Sequence, residues 1–200
     1  MSLEPATAVL CLASASPRRR DLLWQIGVAH TAVAANVDET ARPGEAPQDY
    51  VERLALAKAM AVRQRGERLP VLAADTAVVL DGVLFGKPLD RADALAMLGR
   101  LSGRVHQVLT AVALASERSV EVRLSETSVR FRDLSLAERE AYWQTGEPRD
   151  KAGAYAIQGF ASVFVVSLAG SYSGVVGLPL AETAELLRGA GIGYWRGSRA

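Results

Sequence analysis

The chain has little with which to staple itself, cross a membrane or grip nucleic acid. It holds a single cysteine, Cys11, which excludes an intramolecular disulfide. That cysteine sits in an apolar run and reads as buried, so the expected setting is reducing and cytoplasmic. The two histidines, His30 and His106, have no Cys or His neighbours at ligand spacing, which argues against a zinc site. A formal net charge of +1 gives no broad basic field, so nucleic acid is not an expected partner. No apolar stretch approaches the roughly 18 residues of a membrane span, so no membrane is expected either. Glu4 and Pro5 stand where a signal peptide would carry its basic residues. Glycine-rich loops of the Walker kind and the GxGxxG pattern are both missing, which removes standard P-loop and Rossmann chemistry.

What is present is the composition of a packed globular protein, 50% hydrophobic and 22% charged. The 200 residues fit a single domain, with 1–7 and 191–200 read as loose ends. A homodimer is left open. The pattern predicts a strand over 8–14, a helix over 16–27 and a strand over 31–35. A helix over 49–65 follows, then an apolar segment 71–74 that ends at Asp75. Residues 76–80 and 83–85 read as a hairpin around Asp81-Gly82, the favoured two-residue turn chemistry. A helix from Asp90 to Leu101 precedes two long β-branched segments, 104–115 and 119–132. Ser135 and Glu138 form a capping box for a helix over 135–144. The remainder reads as a glycine-punctuated stretch 146–160, a strand 161–168, a loop 170–177 and a last helix 179–189. Strands and helices alternate irregularly around antiparallel hairpins, so the expected class is α/β with a mixed, twisted central sheet flanked by helices.

Chemistry concentrates at a few positions. Ser14, Ser16 and Pro17 lead from the first strand into a helix whose first turn is Arg18-Arg19-Arg20. A helix start carries partial positive charge and free N–H groups, so three arginines there are unfavourable unless an anion arrives. Helical spacing puts Arg19 on the face of Leu22, Leu23 and Ile26, and turns Arg20 toward water. Lys58 falls on the apolar stripe of Val51, Leu54, Ala55 and Val62, either snorkelling or pointing a fixed cation into a polar cavity. Asp75 interrupts an apolar run, where an unpaired carboxylate would be very costly. It reads as a structural ion pair, a metal ligand or a general base. Counting back from the Asp81-Gly82 turn sets Thr76 opposite Lys87, which would place that cation beside Asp75. Glu39, next to Asp38, is a candidate second carboxylate, and Gln158 offers an amide that matches a base edge.

The blocks LASASPRRRDLL, VDET, YVERLALAKA, AADT followed by GKP, SGRVHQVLTAVAL, GEPRDKAGAYAIQG and SYSGVVGLPLAET together resemble the Maf family of septum-formation-inhibitor-like nucleoside triphosphate pyrophosphatases. The similarity runs from about Leu10 to Leu187, and DKAGAYAIQG looks like the branch acting on dTTP and UTP. Phe85 before GKP and Gly174 in SYSGVVG depart from the usual pattern. The resemblance implies an ITPase-like fold with two lobes and a cleft, and hydrolysis of a nucleotide to monophosphate and pyrophosphate. It implies Asp75 as proton acceptor, and Arg18, Thr76 and Gln158 as positions that tune base choice. Arg19, Lys58 and Lys87 then stand as phosphate cations, with Ser14 in the substrate-binding set. Asp75 and Glu39 would share a divalent cation, Mg²⁺ or Mn²⁺, since hard cations take carboxylate oxygens. The rival is a nucleotide-binding regulator of cell division that acts through a protein partner without turnover.

Overall fold

Valine, leucine and alanine fill the two longest apolar runs, and both become central strands of one sheet. The computed structural model describes residues 7–195. Its strands are β1 (Leu10–Leu12), β2 (His30–Ala32), β3 (Val71–Leu80), β4 (Val83–Phe85), β5 (Val105–Ala115), β6 (Val120–Phe131) and β7 (Val165–Ala169). They form a seven-stranded sheet in the order β2-β1-β3-β5-β6-β7, with β4 added to β3. Pairs β1–β2 and β1–β3 are parallel, and the rest are antiparallel. The helices are α1 (Pro17–Gln25), α2 (Pro47–Arg63), α3 (Arg91–Leu101), α4 (Leu136–Gln144), α5 (Tyr172–Val176) and α6 (Leu180–Gly189). The expected mixed α/β sheet is therefore what the chain forms. No helix among the described residues is long and apolar enough to cross a membrane.

Strand alternation sorts the core into two unlike layers. Small side chains such as Ala73, Ala77, Ala111 and Ala113 face α2 and pack with its Val51, Ala55, Ala59 and Val62. The opposite face carries Leu72, Val78, Leu80, Val108 and Leu114, packed with Leu98, Phe131, Tyr142 and Phe164. Small residues on the first face let α2 lie close to the sheet, and this closeness buries Lys58.

One edge of β3 is left open. β5 runs along its other edge from Val71 to Val79. On the open side β1 pairs only with Val71 and Leu72, and β4 only with Val78, Val79 and Leu80. Among the described residues no strand covers Ala73–Ala77, and Asp75 and Thr76 lie in that gap.

The structure corrects several expectations. β3 runs unbroken through Asp75, because a neighbouring cation neutralises the carboxylate and the ladder has no reason to stop. Residues 161–164 belong to a 3-10 turn, Phe160–Phe164, and the strand begins only at Val165. The N–H groups of Phe160 and Ala161 donate to the Glu147 carboxylate, at 3.1 and 3.3 Å, instead of to a strand. The expected loop 170–177 contains α5, whose cap is Ser171 accepting from Gly174 N at 3.0 Å. Ser16 takes the cap position of α1 without a side-chain bond, and its N–H donates to Ser14 Oγ at 3.1 Å. Of the ends read as loose, 1–6 and 196–200 lie outside the described residues. Ile192 and Tyr194 pack against the core, and Trp195 N donates to Ile26 O at 2.6 Å.

Candidate active site

Adjacent residues of a strand point to opposite faces, so Asp75 looks toward α2 and Thr76 looks away from it. Each meets a different cation. Lys58, on the inward stripe of α2 and only 8% exposed, sets its Nζ 2.6 Å from Asp75 Oδ1 and 2.6 Å from Glu39 Oε1. Burial pushes the Asp75 carboxyl above its ordinary range, and the Lys58 ammonium and the Arg19 guanidinium oppose that rise without cancelling it. Burial raises Glu39 as well, but there Lys58, helped by Lys87 and Arg19, prevails and holds the carboxyl below its ordinary range.

Glu39 sits on a loop that α2 holds from below. Tyr50 donates its hydroxyl to Glu39 O at 3.0 Å, and Arg53 Nη2 donates to Thr40 O at 3.2 Å. Arg53 also forks onto Glu45, at 2.5 and 2.7 Å. Burial, then the charges of Asp75 and Glu39, push the Tyr50 phenol up to about 12, so it stays a hydrogen-bond donor.

On the other face of β3, Arg19 is held by three contacts. Its Nε donates to Gly177 O at 2.7 Å, Nη1 to Ser14 Oγ at 3.4 Å and Nη2 to Thr76 Oγ1 at 3.3 Å. Gly177 has φ +129, a conformation L residues rarely adopt, and this turn is what aims its carbonyl at Arg19. Thr110, paired across the ladder with Thr76, lies 3.0 Å from the Thr76 hydroxyl and donates to Gly174 O at 2.8 Å. The glycine-rich segment is thereby tied to the strand that carries Asp75.

A third wall brings Gln158. Glu147 accepts from Tyr142 Oη at 2.7 Å, and Tyr142 Oη accepts from Ala156 N at 3.2 Å, which fixes the turn around Gln158. His106 Nε2 lies 2.8 Å from Tyr155 Oη and pins the same segment from the sheet side.

These walls enclose a cavity of about 900 Å³, which falls in the size range of small-molecule sites. Ser14, Arg18, Arg19, Glu39, Lys58, Asp75, Thr76, Lys87 and Gln158 all line it. One pairing differs from expectation. Lys87 lines the cavity but does not partner Asp75, whose cation is Lys58. β4 ends at Phe85, and the Gly86 carbonyl accepts from Gly153 N at 3.0 Å, so the ladder never reaches Thr76 and Lys87. Sequence reasoning passed over Thr110, a lone hydroxyl in the apolar run Val108–Ala115, although the break in polarity that exposed Asp75 was available there too. It also passed over Tyr50 as a cavity-lining residue.

Fold and site define a single-sheet α/β protein with a cleft of fixed cations around a buried carboxylate, suited to a polyanionic small molecule. The chain belongs to the Maf-like protein family, whose model matches residues 9–190. It is similar to the dTTP/UTP pyrophosphatase of Nitrosomonas europaea, 53% identical over 95% of this chain and 98% of that protein. The dTTP/UTP pyrophosphatase of Hahella chejuensis is 52% identical, over 96% of this chain and 97% of that protein. That of Methylococcus capsulatus is 54% identical, over 94% and 93%.

Proposed function

We propose that this protein is a nucleoside triphosphate pyrophosphatase that hydrolyses dTTP and UTP, and non-standard relatives of them, to monophosphate and pyrophosphate. The observation that carries the reading is the convergence of Arg19, Lys58 and Lys87 on one cavity around the buried Asp75. A triphosphate carries about four negative charges near neutral pH, and its transfer chemistry depends on neutralising and aligning them. Arg18, Arg19, Lys58, Lys87 and the start of α1 supply that neutralisation. Asp75 then orients the attacking water toward the α-phosphorus and accepts its proton. Arg18, Thr76 and Gln158 read the base. The activity and substrates of the similar proteins support this assignment.

The donor set fits a divalent cation. Asp75 and Glu39 each engage Lys58 through one oxygen, so two carboxylates meet at one point and each keeps a hard oxygen for a metal. Mg²⁺ or Mn²⁺ bound there would add positive charge against the triphosphate. Cys11, buried and free, suits the reducing cytoplasm in which we place the protein.

A panel of common nucleoside triphosphates, assayed for pyrophosphate release with Mg²⁺ and with Mn²⁺, tests the reading. Preferential release from dTTP and UTP is expected. Tight nucleotide binding with no product from any of them would overturn it in favour of a regulator.

A further inference from the structure

A second cavity, of about 610 Å³, opens beyond Arg18 and Gln158. It shares Arg18, Gln158 and Val176 with the main cleft, so the two adjoin at the wall assigned to the base. Trp24 of α1 and Tyr172 of α5 come to it from separate helices, 37% and 52% exposed. Trp24 is steadied from one side by His30, with ring centroids 4.8 Å apart. Arg18 stands between the two cavities with its Nε buried and without a hydrogen-bond partner among the described residues. A donor left uncommitted there, beside two aromatic surfaces, is the composition of a binding site rather than of a solvated groove.

We infer that this cavity is an annex of the nucleotide site that receives a planar aromatic arm carried by the base, which makes triphosphates of arylated pyrimidines substrates. The inference rests on the reading of the main cleft given above, with the base held at Arg18 and Gln158. The O2, N3 and O4 edge of a uracil or thymine ring supplies what an amide and a guanidinium can pair with. C5 is the ring carbon beside O4 that bears a substituent without occupying that edge. An arm on C5 leaves past Arg18, and Trp24 and Tyr172 offer faces for it to stack on. Such stacking changes affinity by about tenfold per ring.

The test compares dTTP with 5-phenyl-dUTP, by calorimetric binding and by pyrophosphate release, in the wild type, Trp24→Ala and Tyr172→Ala. Both rings lie at the surface, so neither truncation opens the core. The wild type is expected to bind and turn over the phenyl nucleotide at least as well as dTTP. Each variant is expected to weaken the phenyl nucleotide about tenfold while leaving dTTP unchanged. If dTTP is hydrolysed but the wild type binds 5-phenyl-dUTP tenfold more weakly, or the variants affect both nucleotides alike, the annex is overturned and the activity stands. If neither nucleotide is hydrolysed while the phenyl-specific loss of binding appears, the activity is overturned and the annex stands.

Discussion

The two faces of β3 are built differently and do different work. Toward α2 the sheet is lined with alanine and valine, and among the described residues the charges buried there are Asp75 and the Lys58 ammonium, which also pairs with the half-exposed Glu39. Away from α2 the side chains are large, and the polar groups there include the neutral hydroxyls of Thr76 and Thr110, with Arg19 reaching over them. The difference separates two tasks. A close-packed face fixes a desolvated acid and base pair, while a bulkier face leaves room for a ligand and offers it directional hydrogen bonds. Both become accessible from one cavity because the strand edge between β1 and β4 is open. A ligand at that edge reaches the acid on one side and the hydroxyls on the other.

Replacements on the α2 face should strike turnover itself. Asp75→Asn keeps the volume and an acceptor for Lys58, so the fold should survive by circular dichroism. Its dTTP hydrolysis should fall by about 10²- to 10⁴-fold, the usual contribution of a positioned base. Near wild-type turnover by the folded variant would remove Asp75 from the chemistry. Next in size is Arg53→Ala, which removes one of the side chains by which α2 holds the loop carrying Glu39. With Glu39 in the role proposed for it, a displacement of this kind costs up to the order of 100-fold in rate, and kcat should drop while the melting temperature moves little. An unchanged kcat would mean that Glu39 needs no support from Arg53.

On the opposite face the signature should be binding. Thr110→Val leaves the Gly174 carbonyl without its donor, at a cost of about 1–3 kcal/mol of stability measured by denaturant unfolding. It also loosens the segment that holds Arg19, so KM for dTTP should rise with kcat largely kept. A fall in kcat at constant KM would show that the two faces are not separate in function.

How much of this was legible in the chain follows from which signals are local. Asp75 and Lys58 were visible because each breaks an apolar pattern, one a continuous run and one a stripe of period 3.6. That they bond each other was not, since the pairing depends on how closely α2 settles on small residues of the sheet. The convergence of Arg19, Lys58 and Lys87 was approachable, but the partner assigned to Lys87 failed on a long-range event, the capture of the Gly86 carbonyl by Gly153. Thr110 gave only a faint signal, because threonine is common in strands. The strand expected over 161–168 lost its first residues to Glu147, whose role no local pattern announces.

The smallest effect on activity, and the sharpest on stability, belongs to His106, deep on the large-residue face. It is 2% exposed, edge-on to Phe131 and bonded to Tyr155, while its Nδ1 has no hydrogen-bond partner among the described residues. Burial lowers its pKa from 6.5 to about 4, so the folded protein keeps the ring neutral. Between those values the unfolded chain binds a proton that the folded one refuses. Stability from this group is therefore complete above pH 6.5 and is lost as pH falls toward 4, by up to about 3 kcal/mol. His106→Gln, which can still bond Tyr155 but does not titrate, should flatten the fall in denaturation midpoint between pH 7 and pH 4.5. Its turnover of dTTP at neutral pH should stay near that of the wild type, since the cavity is lined by Tyr155 and not by the ring itself. Parallel pH profiles for the two proteins would place the acid sensitivity in the carboxylates of the other face.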